Sequence, residues 1–275
     1  MAGSTAENTN TPGALLEKLA EGKDEEGVRR NVASNAKTSV SILEKLTDDK
    51  NEDVRTAVAK NANMPVHSIE KLAIDENYWV RMGVAENLNT PTSIMEKLVE
   101  DEKGGVRKEV ARNINTPLAL LEKLSEDYEW NSTRDAVANN PNTSLQLLEK
   151  LTEDRWKLAR SGVAKNPNTP LALLEKLSED QEKDVRSGVA GNVKTPIALL
   201  ENLAEDKDKW VRYEVANNAN TSVSVLEKLA KDEDEDVCKA VTKNENTPAS
   251  LLEKKATEDD KNQALLVASM KKLRK

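Results

Sequence analysis

The sequence predicts an all-α solenoid of ten stacked two-helix repeats, and three observations carry that expectation. Glu-Lys-Leu or a near copy begins at Glu17, Glu44, Glu70, Glu96, Glu122, Glu149, Glu175, Glu201, Glu227 and Glu253, at intervals of 26 or 27 residues. Each interval holds two helical apolar patterns separated by turn-forming residues. The composition is 33% charged and 3% aromatic with no Phe, so the core must be built from Leu, Val and Ala, as in a long helical array. A disordered chain of similar charge would not carry so regular a Leu and Val pattern.

The best-formed repeat runs from Thr169 to Lys194. Thr169 is placed to cap the first helix, and Pro170 suits its first position, where no amide donor is needed. Leu171, Leu174 and Leu177, with Leu173 beside them, recur at helical spacing and predict the apolar face, while Glu175 and Lys176 point outward. An acidic segment leads into a shorter second helix, Val185-Arg186-Ser187-Gly188-Val189-Ala190, whose Val185 and Val189 lie one turn apart on the buried side. It ends near Asn192, a residue type that tolerates the left-handed conformation closing many helices. Three buried leucines do not offset the entropy of ordering such a unit, so neighbouring repeats must supply the rest of the core.

Repeats begin at residues 11, 38, 64, 90, 116, 143, 169, 195, 221 and 247, which predicts one solenoid domain over 11–275 behind a flexible tail of residues 1–10. The last repeat has Lys255 in place of Leu and Gln263-Ala264 in place of Val-Arg, and reads as a C-terminal cap. Its closing Lys271, Lys272, Arg274 and Lys275 read as a solvated capping face in preference to a nuclear signal.

Acidic residues outnumber basic ones, 49 to 41, for a net charge of -8, which favours solubility and argues against a whole-surface affinity for nucleic acid. Cys238 is the one cysteine, so neither an internal disulfide nor a cysteine metal cluster is expected, and a reducing, cytoplasmic setting is. The opening MAGSTAENTNT has no apolar stretch, and no later segment approaches the roughly 18 apolar residues of a spanning helix. No membrane association is expected.

Asn-Pro-Asn-Thr-Pro-Leu-Ala-Leu-Leu-Glu-Lys-Leu, Asn166 to Leu177, followed by Asp-Val-Arg-x-x-Val-Ala-x-Asn, Asp184 to Asn192, resembles the leucine-rich repeat variant family. The resemblance extends from Asn10 to about Ala268 and recurs in every unit. It implies a right-handed superhelix in which α-helices alternate with shorter, partly 3₁₀ helices, and the Asp-Val-Arg segment is also similar to the second half of a HEAT repeat. Family members can carry an iron–sulfur cluster on N-terminal cysteines; this chain lacks those cysteines, so no cofactor carries over. The resemblance brings no shared enzymatic activity.

The residues themselves offer little to catalysis, and no catalytic residue or metal ligand is expected. His67 is the one histidine and sits where other repeats have Ser41, Ala119 or Ala172, as a surface substitution would. Cys238 replaces the repeat's arginine and reads as an inert thiol. The many carboxylates fall in the inter-helix turns at repeat spacing, as caps and solubilising charge, and Gly104-Gly105 reads as a turn.

Arginine recurs at 29, 55, 81, 107, 134, 160, 186 and 212, with Asp49, Asp75, Asp101, Asp154, Asp180 and Asp206 six residues earlier in most units. Two readings compete: a cationic stripe for anions, or guanidinium–aspartate and guanidinium–carbonyl bonds that lace repeats together. The recurrence of the pair in otherwise different units favours lacing. The Asn at 35, 61, 87, 113, 140, 166, 192, 218 and 244 reads as a turn-former.

Function is expected where repeats differ. The residue after each arginine and the one four later are expected to share an exposed face of the second helix, and they include Met82, Lys108, Arg112, Lys165 and Tyr213. All seven aromatics, among them Trp79, Trp156 and Trp210, fall there or in the turn just before. Either they bind or they merely cover the turn beneath them. The leading expectation is a non-enzymatic scaffold holding a protein or peptide through Trp79, Met82, Lys108, Arg112, Trp156, Lys165, Trp210 and Tyr213. The alternative is nucleic-acid binding by the same basic and aromatic residues, disfavoured by the acidic total.

Overall fold

Leu and Val spacing produces helices at the expected places, and the computed structural model of the chain describes residues 2–22 and 26–252. First helices of the repeats are α2 (Gly13–Ala20), α4 (Val40–Leu46), α6 (Val66–Leu72), α8 (Thr92–Leu98), α10 (Leu118–Leu124), α12 (Leu145–Thr152), α14 (Leu171–Ser178), α16 (Ile197–Leu203) and α18 (Val223–Leu229). Second helices are α3 (Glu26–Ser34), α5 (Glu52–Lys60), α7 (Tyr78–Glu86), α9 (Gly104–Arg112), α11 (Asn131–Asn139), α13 (Lys157–Lys165), α15 (Lys183–Gly191), α17 (Lys209–Asn217) and α19 (Glu235–Lys243). The described residues contain no strand, and the repeat architecture is an all-α solenoid. Two compact units divide between Val163 and Ala164.

The second helix is not the shorter one. Each second helix is nine residues of α-helix, whereas the first helices in full repeats have seven or eight. Asn51, Asn77, Asp208 and Asp234 explain the clean starts: each side chain accepts backbone amides of the first helical turn. The first helices start on Pro or Ser with extended backbone, as at Pro117 and Ser222. The threonine before them does not cap forward. Thr38, Thr116 and Thr195 each donate back to a valine carbonyl of the preceding second helix, at 2.5–2.6 Å.

The core is a row of valines and leucines from the two helix types. In α15 Val185, Val189 and Ala190 are buried, and in α14 Leu174 and Leu177 are. Leu171 is not, being 48% exposed at the start of its helix. Successive second helices pack directly, α1 (Ala2–Glu7) through α11 in the first unit and α15, α17 and α19 in the second. Small residues permit this approach: a Cβ on Gly162 would lie 2.7 Å from Ala138 Cβ and 3.0 Å from the Asp135 carbonyl.

The N-terminal segment differs from a flexible tail. Helix α1 takes the place of a second helix ahead of α3, with Ala6 buried and the Ala6 and Asn8 carbonyls accepting Asn35 Nδ2 at 2.8 and 3.1 Å. Those carbonyls give Asn35 the acceptors that Asn61, Asn87, Asn113, Asn140, Asn192, Asn218 and Asn244 take from the repeats before them. Lys255, Gln263-Ala264 and the basic Lys271 to Lys275 lie outside the described residues.

Candidate partner-binding face

Two hydrogen-bonded ladders fix the second helices and so the side chains on them. Arg186 donates from Nε and Nη2 to Asp206 at 2.6 and 2.9 Å, and from Nη1 to the Asp180 carbonyl at 2.8 Å. Arg212 repeats the pattern with the Asp232 carboxylate and the Asp206 carbonyl. Thus Arg186 and Arg212 each pair with the aspartate twenty residues later, while the aspartate six residues earlier supplies its backbone oxygen. The first unit shows the same carboxylate pairing for Arg29–Asp49, Arg55–Asp75, Arg81–Asp101, Arg107–Asp127 and Arg134–Asp154, although Arg29 and Arg134 take their carbonyls from Gly22 and Asp127, seven residues earlier. Both partners are nearly buried, which excludes a free cationic stripe at these seven arginines. Burial alone would raise the Asp206 carboxyl, but the Arg186 hydrogen bond and the Asp208 amide hold it below its ordinary value.

Asparagine builds the second ladder. Asn192 is in extended backbone, φ −71°, and uses no left-handed turn. Its Nδ2 donates to the Ala164 and Asn166 carbonyls at 2.6 and 3.0 Å, and its Oδ1 accepts the Lys194 amide. Asn61, Asn87, Asn113, Asn140, Asn218 and Asn244 do likewise. Strict spacing was the sequence signal; the inter-repeat direction of the bond was not legible in it.

Between these ladders lies the second-helix face, and it is only half as open as the sequence suggests. Of the residues directly after the arginine, Thr56, Met82, Lys108, Asp135, Ser187 and Tyr213 are half-buried, Ser161 is buried and Arg30 is exposed. Residues four further on, including Arg112 and Lys165, are exposed, save the half-buried Glu86. Met82 lies against α9, where a Cβ on Gly105 would be 3.7 Å from its Sδ. Arg112 pairs with Glu109 at 3.3 Å, and Lys60 with Glu86 at 2.8 Å, so part of the basic character is already matched. Glu214 is half-buried near Gly191, and desolvation raises its carboxyl above the ordinary value against the pull of Lys165.

The aromatics stand proud of their turns. In the first unit Trp79 is 49% exposed with the Tyr78 ring 4.8 Å away, and Trp156 is exposed beneath the Arg155 guanidinium at 5.5 Å. In the second unit Trp210 is 46% exposed, edge-on to Tyr213 at 5.7 Å, with Lys209 Nζ 5.0 Å from its ring. Trp130 is the aromatic that covers a neighbour: its ring lies directly over Gly104, where a Cβ would be 2.4 Å from Cγ. Gly104-Gly105 therefore opens helix α9, with the bare Gly104 accommodating Trp130, and is not a turn.

His67 is exposed with Glu44 Oε1 at 3.1 Å from its Nε2, and the half-buried Cys238 Sγ lies 3.3 Å from the Asp232 carbonyl. Among the described residues no group of three His, Cys, Asp or Glu is arranged to hold a metal, and no helix is long and apolar enough to cross a membrane.

The architecture places the chain in the class of α-solenoid repeat proteins. It is similar to a solved leucine-rich repeat variant described as having a novel repetitive structural motif: 24% identity over 81% of this chain and 86% of that one, TM-score 0.50. An engineered protein, 17% identical over 88% of this chain and 92% of its own, superposes with a TM-score of 0.32. A computationally designed armadillo repeat protein for modular peptide recognition is 19% identical over 88% and 97%, with a TM-score of 0.21. No family model matches the chain, and no curated protein matches it.

Proposed function

We propose that the protein is a non-enzymatic scaffold that binds an acidic protein or peptide through its second-helix face. In the first unit Trp79, Met82 and Trp156 would be the anchors, with Lys108 and Arg112 as steering cations. In the second unit Trp210 and Tyr213 would anchor and Lys165 would steer. The observation that carries this reading is the exposure of Trp79 and Trp210 at half their surface, on helices whose frames are locked by buried Arg–Asp pairs. Rigid exposed Trp and Tyr beside cations lose little entropy on binding and supply most of the energy of contact surfaces. A protein partner suits this face better than nucleic acid, because Glu86, Glu109 and Glu214 interrupt its basic character.

Affinity capture from native lysate, with and without nuclease, followed by titration of the captured partner, tests the reading. Trp79→Ala and Trp210→Ala are expected to weaken binding by more than ~1 kcal/mol each with unchanged helicity. Lys123→Ala and Lys176→Ala, on first helices, are the controls and are expected to bind as the parent does. Loss of binding in the controls alone, or loss of all capture on nuclease treatment, would overturn the assignment.

A further inference from the structure

The first helices of the first unit carry a row of like charges that the fold leaves uncompensated. Glu44, Glu70, Glu96, Glu122 and Glu149 each stand fifth in α4, α6, α8, α10 and α12, and all are exposed. A lysine follows each of them without neutralising the row. Lys71, Lys123 and Lys150 reach back to Asp48, Glu100 and Glu126, in the turn after the preceding first helix. Lys45 pairs with Glu17 at 3.5 Å, and Glu44 Oε1 lies 3.1 Å from His67 Nε2. Among the described residues Glu70, Glu96, Glu122 and Glu149 have no ion-pair partner, and of the lysines that follow the row Lys97 alone is unpaired. One turn before the last three glutamates the exposed positions hold the uncharged Ser93, Ala119 and Gln146.

Stability does not account for this row. Like charges on successive helices repel, and an exposed helical position gains nothing from an unpaired carboxylate that an uncharged residue would lack. The face is also grooved, because first helices touch one another less closely than second helices do. Between α10 and α12 the groove has a volume of about 270 Å³ and is lined by Glu122, Gln146 and the buried Leu147, with the Lys150–Glu126 pair alongside. Its chemistry matches one lysine or arginine side chain. Leu147 offers an apolar surface to the methylene stem, Glu122 takes the charge, and the Gln146 side-chain oxygen accepts a further N–H. Nucleic acid and anionic lipid are repelled by the same row.

We propose that the first-helix face of the first unit docks a basic protein segment, with one Lys or Arg side chain seated between α10 and α12 and others along Glu70, Glu96 and Glu149. The face lies on the helices that the aromatic anchors do not use, so either surface can fail without the other. The second unit repeats the pattern on its own with the exposed Glu175, Glu201 and Glu227, and there Asn202 stands in place of a lysine.

The test titrates the full chain into a fluorescein-labelled peptide of alternating Lys and Ser, read by anisotropy at physiological ionic strength, with the same peptide carrying Glu for Lys as the reference. The row variant Glu96→Gln/Glu122→Gln/Glu149→Gln is compared with Glu52→Gln/Glu76→Gln/Glu102→Gln, which removes the same charge from exposed positions of the inter-helix turns and second-helix starts. The Lys peptide is expected to bind the parent and to bind the row variant roughly tenfold more weakly. The turn variant and Trp79→Ala are expected to bind it as the parent does. Removing the row's repulsion is expected to leave the melting temperature unchanged or raised at low salt. No binding by the parent, equal loss in both triple variants, or undiminished affinity in the row variant would overturn the proposal. So would a lower melting temperature of the row variant, which would give the glutamates a role in the fold instead.

Discussion

Arg186 shows how one side chain decides between two readings that a repeat sequence leaves level. An aspartate six residues before most of the arginines is, at a period of 26, also an aspartate twenty residues after the arginine of the preceding repeat. Periodicity cannot tell the two apart; the side-chain direction does, carrying the guanidinium to Asp206 of the next repeat. Arg186→Ala leaves the buried Asp206 carboxylate without its cation and is expected to cost about 3 kcal/mol or more in denaturant unfolding. Asp206→Ala is expected to be non-additive with it, with a coupling of about 1–3 kcal/mol, whereas Asp180→Ala, whose carbonyl is untouched by the change, is expected to be near additive with Arg186→Ala. The same carboxylates set the acid limit. Asp49, Asp127, Asp206 and Asp232 are all held below the ordinary value of 3.8. A depressed acid stabilises the fold above its unfolded value and loses that contribution as pH falls through the folded one. The melting temperature is therefore expected to drop steeply below about pH 4. Asp206→Asn should be less stable at neutral pH but show a shallower drop in acid.

At the scale of the element, the second helices carry the architecture and the first helices clad it. Val and Leu periodicity made both helices legible, and the Asn and Asp caps explain their boundaries. Three details escaped the sequence for a common reason: they depend on what the neighbouring repeat presents. Threonine has a carbonyl behind it as well as amides ahead, and bonds the one behind. Asn192 is free to turn left-handed but meets the Ala164 and Asn166 carbonyls of the previous repeat. Gly104 looks like a turn until Trp130 is placed over it. Gly162 is the element-level test. Its missing Cβ sits against Ala138 Cβ and a backbone oxygen, neither of which can swing aside. Gly162→Ala is expected to destabilise by about 1–3 kcal/mol by overpacking, measured by chemical unfolding, despite the alanine's better helix propensity. Gly191→Ala, which meets only the flexible end of Glu214, is the tolerated control.

At the scale of the whole molecule, repetition converts small local preferences into a core and ladders that recur from repeat to repeat within each unit. In the first unit α1 extends that pattern: it packs on α3, and the Ala6 carbonyl and the Asn8 carbonyl just after the helix accept Asn35. Deletion of residues 1–9 is therefore expected to lower stability by about 1–3 kcal/mol, visible as an earlier thermal transition with helical content otherwise retained. An unchanged transition would show that the packing of α1 on α3 adds nothing to stability.

The sequence by itself determined the repeat length, the all-α class, the valine and leucine core and the residues that differ between repeats. Those properties follow from local periodicity and composition, which need no knowledge of neighbours. Tertiary structure alone decided which aspartate each arginine holds, where each asparagine and threonine donates, and how far each candidate anchor is exposed. Met82 and Tyr213 share the periodic position of Lys108, yet exposure depends on the helix stacked beside them, not on their own helix. Leu171 and Leu174 lie on one helix at core spacing, and only the approach of the adjacent repeat buries Leu174 and leaves Leu171 in water. Inter-repeat geometry sums many weak directional contacts across 26 residues of separation, and no single repeat's sequence contains it.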